Sequence, residues 1–135
     1  MNEVRNYYRG EIYYAHLRDL DGLVNNNEGD IEVSSTEMRK SRPVVIIQND
    51  INNRFSSNVI VAQISSSPKK IARYKSKPSP AQMLVQLDKE SLIMCDSIAT
   101  ISKKRLGDKI GELSSKEIIF LNNAIKKSLG LIWID

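Results

Sequence analysis

One cysteine, one histidine and one tryptophan: the 135-residue chain is poor in the residues that most often carry chemistry. With Cys95 alone there is no internal disulfide and no cysteine-based metal cluster. With His16 alone, zinc sites built on several imidazoles and two-histidine nuclease chemistry are excluded. Neither GxGxxG nor GxxxxGK(S/T) occurs, which disfavours nucleotide-dependent transfer. No apolar run is long enough for a membrane span, and Met1 to Arg9 are polar and aromatic rather than signal-like. These absences point to a metal-free and cofactor-free protein of a reducing cytoplasm, held as a single domain over residues 1–135.

What is present is charge, unevenly spread. The formal net charge is only +4, and 41% of residues are hydrophobic, enough for one modest core. Between Asp19 and Glu37 lie six acids and no Lys or Arg. Between Lys69 and Lys77 lie five cations and no acid. Each run, read alone, is a solvated loop.

Short apolar stretches dominate the chain. Strands are expected at Gly10 to Leu17, Pro43 to Gln48, Val59 to Ile64, Met83 to Leu87, Ser91 to Cys95 and Ile98 to Ile101, with a short edge at Lys109 to Leu113. A long loop fills about 18–41, a turn fills Asn49 to Asn58, and a basic loop runs to Pro80. Ser114 and Glu117 have capping-box spacing. Ile118, Leu121, Ile125 and Leu129 then repeat at helical spacing until Gly130 stops the helix. Many strands followed by one helix imply a small, strongly curved antiparallel sheet or barrel with a helix packed on it.

The reactive types that remain suffice for one reaction: cleavage of RNA by its own 2′-hydroxyl. That reaction needs a proton acceptor, a cation for the charge growing on phosphorus oxygens, and an acid for the leaving 5′-oxygen. Arg42, at the mouth of an apolar strand, suits the second task, because its planar fork matches two phosphate oxygens. Glu37 can orient Arg42 or act as base. Ser65 ends a strand and can donate to phosphate. Asp96 interrupts an apolar segment and offers a carboxylate to the site. Cys95 reads as a small hydrophobe, His16 as a surface or packing residue, and Trp133 as core or dimer packing.

The order of these pieces resembles the MazF/PemK-type toxins, the mRNA interferases of type II toxin–antitoxin systems. The resemblance runs through Arg9-Gly10-Glu11-Ile12-Tyr13, Glu37, Arg42-Pro43-Val44-Val45-Ile46-Ile47-Gln48-Asn49-Asp50, Asn53-Arg54-Phe55, Val59 to Ser65, and Ser91 to Leu106. It implies an SH3-like barrel with a C-terminal helix (the CcdB/MazF-like toxin fold), usually a homodimer. It implies metal-independent cleavage of single-stranded RNA at short sequences, leaving 2′,3′-cyclic phosphate and 5′-hydroxyl ends. It implies a MazE-like antitoxin as partner. By position, Arg42 matches the family's catalytic arginine, Ser65 falls where a threonine is usual, Glu37 matches a glutamate before the arginine, and Asp96 follows Cys95 as in the plasmid-borne branch.

Met94 stands where the plasmid-borne branch has arginine, Ala99 stands where many members carry one, and the loop before Glu37 is about a dozen residues longer than usual, judged from the flanking motifs. The candidate RNA contacts are therefore Arg39, Lys40, Lys69, Lys70, Arg73, Tyr74, Lys75, Gln82 and Ser97, the cations for phosphate and Tyr74 for a base. The acidic loop reads as a cover that swings aside for RNA. Two rivals stand beside the ribonuclease: a gyrase-binding toxin of the same fold without nuclease activity, and an RNA-binding module of weak catalysis.

Overall fold

The computed structural model describes residues 5–16 and 41–133. Six strands form one antiparallel sheet: β1 Glu11–His16, β2 Ser41–Ile46, β3 Asn58–Ser65, β4 Gln82–Gln86, β5 Glu90–Ser102 and β6 Leu106–Glu112. Their order is β4-β5-β3-β2-β1-β6. β4 and β6 form the two edges and do not pair with each other, so the sheet is not closed into a full barrel. The mainly-β architecture with a C-terminal helix is as the sequence implies.

Strand alternation splits the apolar residues between two faces. One face carries Ile12, Val45, Ala62, Ile64, Ile93 and Cys95, and helix α3 (Ser115–Ser128) covers it with Leu121 and Ala124. The other carries Tyr13, Ala15, Val44, Ile46, Val59 and Val61. Burial on both faces explains why 43–48 reads as a continuous apolar run.

α3 begins as its sequence requires. Ser114 Oγ accepts from Glu117 N, and the Glu117 carboxylate accepts from Ser114 N at 2.8 Å. Its end is a Schellman motif: Leu131 N donates to Lys126 O at 2.7 Å, and Gly130 N to Lys127 O, with Gly130 at φ +76°. Leu129 departs from the expected stripe. It is the C-cap residue, where the helical phase ends, and it is 55% exposed. Gly10, at φ +93°, holds a backbone conformation that strains any other residue, and a Cβ there would sit 2.7 Å from Ile118 Cδ1, which would have to shift.

Two stretches read as irregular are helical. The turn after β2 contains α1, Asp50–Phe55. Asn49 caps it by accepting from Asn52 N, and the buried Asn53 exchanges hydrogen bonds with Gln48 at 2.9 and 3.0 Å. Polar residues that signal a turn here satisfy one another inside a short helix. The basic loop is α2, Pro68–Ser76. Ser67 is its N-cap and Pro68 its first residue, a favoured pairing. Ile71 and the half-buried Tyr74 anchor it on Leu92 and Met94.

β5 is one strand rather than two. Its pairing with β3 slips between Ala62 and Gln63: Ala62 faces Ile98 but Gln63 faces Met94. The extra residues, Cys95 to Ser97, form a bulge at the expected break.

Candidate active site

β2 and β3 run antiparallel with Val44 opposite Gln63. Continuing that register by two residues brings Arg42, at the start of β2, level with Ser65, at the end of β3. Both line one cleft of about 430 Å³, with Ser41, Pro43, Ile64, Ser66 and Ser67. Arg42 is exposed, and no described acid pairs with it. Ser65 Oγ accepts from Ser67 N at 3.1 Å, which leaves its own proton to be donated into the cleft. Ser67 Oγ in turn accepts from Lys70 N at 3.3 Å, so the positive end of α2 opens on the same cleft. A guanidinium, a hydroxyl and a helix N-terminus around one concavity can hold a tetrahedral anion.

The remaining candidates divide clearly. Lys69, Lys70 and Arg73 stand exposed on α2, with no ion pair to a described acid. Lys75 bonds Glu90 at 3.0 Å. Tyr74 packs on the α2 cluster and lines a second cleft of about 780 Å³ with Gln82, Leu84, Phe120 and Trp133. Trp133 is not core: it is 90% exposed. Asp96 stands at the β5 bulge, outside the Arg42 cleft, where both its oxygens accept from Gln82 Nε2 at 3.1 and 3.3 Å. Ser97 is its half-buried neighbour in that bulge. Glu37, Arg39, Lys40 and the acidic loop fall outside the described residues.

Sequence reasoning missed Ser41, Ser66 and Ser67 as cleft residues. The available signal was Ser67-Pro68, which marks a helix start directly after the strand that ends in Ser65. It also set His16 aside, yet His16 pairs with Ser41 across β1 and β2, its Nδ1 3.4 Å from Ser41 Oγ.

Cys95 is buried at 1% exposure. Burial, with the Asp96 charge second, pushes its thiol up from 9.0 to about 12. A raised folded-state value means the folded chain keeps a proton that the unfolded chain releases. The associated stability is full below about pH 9 and is lost as pH rises toward 12. Denaturant midpoints measured from pH 8 to 11 will therefore fall less steeply for Cys95→Ala than for the parent. Parallel curves would contradict the burial of the thiol.

Residues 8–129 match the family model described as PemK-like, MazF-like toxin of type II toxin–antitoxin systems. The chain is 39% identical over 123 residues to the endoribonuclease MazF of Staphylococcus saprophyticus, covering 91% of each protein. Among solved structures, an endoribonuclease from Mycobacterial species superposes with a TM-score of 0.69 at 19% identity, covering 98% of this chain and 100% of that one. An endoribonuclease in complex with its cognate antitoxin, also from Mycobacterial species, superposes with a TM-score of 0.67 at 19% identity, covering 95% and 99%. At these identities the two structures speak for the fold alone.

Proposed function

The chain belongs to the PemK-like, MazF-like toxin family of type II toxin–antitoxin systems, and on that footing we propose that it is an endoribonuclease toxin cleaving single-stranded RNA without a metal ion. The observation that carries the reading is the convergence of Arg42 and Ser65 on one cleft. The substrate supplies its own nucleophile. A ribose 2′-oxygen bonds to the adjacent phosphorus, its proton passes to a base, the bond from phosphorus to the 5′-oxygen breaks, and that oxygen takes a proton. Products are a 2′,3′-cyclic phosphate and a 5′-hydroxyl.

Arg42 neutralises the charge that grows on the non-bridging oxygens, and Ser65 donates a hydrogen bond to one of them. Glu37 orients Arg42 or accepts the 2′-proton. Asp96, held by Gln82 away from the cleft, is the weakest member of the catalytic set. Lys69, Lys70 and Arg73 hold phosphates beyond the cleft, with Arg39 and Lys40 on the approach to β2. Tyr74, Lys75, Gln82 and Ser97 serve RNA further along its path. The protein works in the cytoplasm as a homodimer, and a MazE-like antitoxin neutralises it.

Purified protein incubated with a long, varied single-stranded RNA in EDTA tests the reading. Cleavage in chelator is expected; an intact RNA would overturn it. The same assay decides the rival suggested by the exposed Trp133, a gyrase-binding toxin that cuts nothing. Lys70→Ala and Arg73→Ala will each weaken RNA binding and reduce its salt slope by about 0.7. An unchanged slope in a titration against salt would remove α2 from the RNA path.

A further inference from the structure

At the end of β2 away from Arg42 the chain builds a second surface of a different kind. A recess of about 420 Å³ is lined by Tyr7, Tyr8, Ile51, Arg54 and Phe55, among others. Phe55 is 78% exposed and Tyr8 51%. The Arg54 guanidinium lies 5.5 Å from the Phe55 ring. Arg5 sits 5.4 and 5.3 Å from the rings of Tyr7 and Tyr13, and Lys103 Nζ is 6.0 Å from Tyr7. Lys103 opens the all-cationic turn Lys103–Arg105, tied to the stretch after α1 by Lys103 N donating to Ser57 O.

Among the described residues the charge here is predominantly positive. Asp50, the acid in the recess, already accepts from Arg9 N at 2.6 Å and from Asn53 Nδ2 at 3.2 Å. Glu11, below it, is held by Tyr8 N, the Tyr13 hydroxyl and Lys109. Arg54 thus lies beside the exposed Phe55 ring, Arg5 and Lys103 lie over the buried rings of Tyr7 and Tyr13, and among the described residues cations outnumber acids here. A two-fold contact with a second copy would set these same cations against their equivalents. Exposed rings interleaved with cations fit a single-stranded nucleic acid, whose bases stack on the rings and whose phosphates meet the charges.

We propose that this face is a second contact for single-stranded RNA, separate from the cleft, which grips the strand flanking the cut site without reading its sequence. The proposal rests on the ribonuclease reading above. β2 puts the two contacts on the order of 20 Å apart, so one strand running along the sheet meets both.

The test uses a labelled oligouridine of about 30 nucleotides, longer than one groove occupies. Binding is measured on the Arg42→Ala protein, so that no cleavage intervenes. Adding Phe55→Ala is expected to weaken binding about tenfold, and adding Arg54→Ala to lower the salt slope by about 0.7. In the otherwise unaltered enzyme, Phe55→Ala is expected to raise KM about tenfold with kcat unchanged. Unchanged affinity overturns the proposal. So does a fall in kcat at constant KM, or a Phe55→Ala protein whose sedimentation shows a changed oligomeric state, which would make the face a contact between copies. If the parent cuts no RNA at all, the ribonuclease reading fails by itself, while the binding arm still decides this one.

Discussion

Arg42→Ala will lower the rate of RNA cleavage by about a hundred- to a thousandfold, the usual cost of removing one donor aimed at developing transition-state charge. Among the described residues, Arg42 is the cation that lines the β2–β3 cleft. Ser65 and the α2 N-terminus share that cleft but carry no full positive charge to replace it. The loss should appear in kcat more than in KM, because the charge it meets grows only as the phosphorus becomes five-coordinate. Arg42→Lys should recover part of the rate: it restores the charge but not the fork that holds two oxygens. Single-turnover cleavage of one defined RNA by the three proteins measures this. Equal rates would remove Arg42 from the reaction.

Leu121→Ala will destabilise the fold by about 2–5 kcal/mol. Leu121 is fully buried where α3 meets the sheet, in one cluster with Ile12, Val45, Ala62 and Ile93. Truncation removes the one large, fully buried side chain of α3 and leaves a void that rigid strands cannot fill. A drop in Tm of roughly 4 °C per kcal/mol is expected for a chain of this length. Leu129→Ala is the control. It belongs to the same sequence stripe but is 55% exposed, so its cost should stay within about 1 kcal/mol. Equal losses at the two positions would contradict the packing of α3.

That pair also shows what a sequence can and cannot convey. Period alone assigns Leu121 and Leu129 to one face. The Schellman turn that ends the phase before Leu129 acts is marked only by Gly130. The strands were legible because burial on both faces writes unbroken apolar runs such as Pro43 to Gln48. α2 was not, because its cations are solvated and only Ile71 is buried; its true signal is the capping pair Ser67-Pro68. α1 was hidden by Asn49, Asn52 and Asn53, residues that favour turns and here cap and fill a helix. In the site, Arg42 and Ser65 were readable as strand ends. Their meeting depends on the β2–β3 register, and Asp96 lies away from them because the β3–β5 register sets Ser65 opposite Leu92, four residues before Asp96. Register is set by pairing between distant segments, which no local pattern records.

The central claim, that the RNA attacks itself while Arg42 stabilises the charge, is tested most directly by the ends it leaves. One RNA of known sequence is cut in EDTA, and the fragments are analysed by mass and by enzymatic phosphorylation. The account predicts 2′,3′-cyclic phosphate on every upstream fragment and a phosphorylatable 5′-hydroxyl on every downstream one. Fragments ending in 3′-hydroxyl and 5′-phosphate would show that water was the nucleophile, and would contradict it.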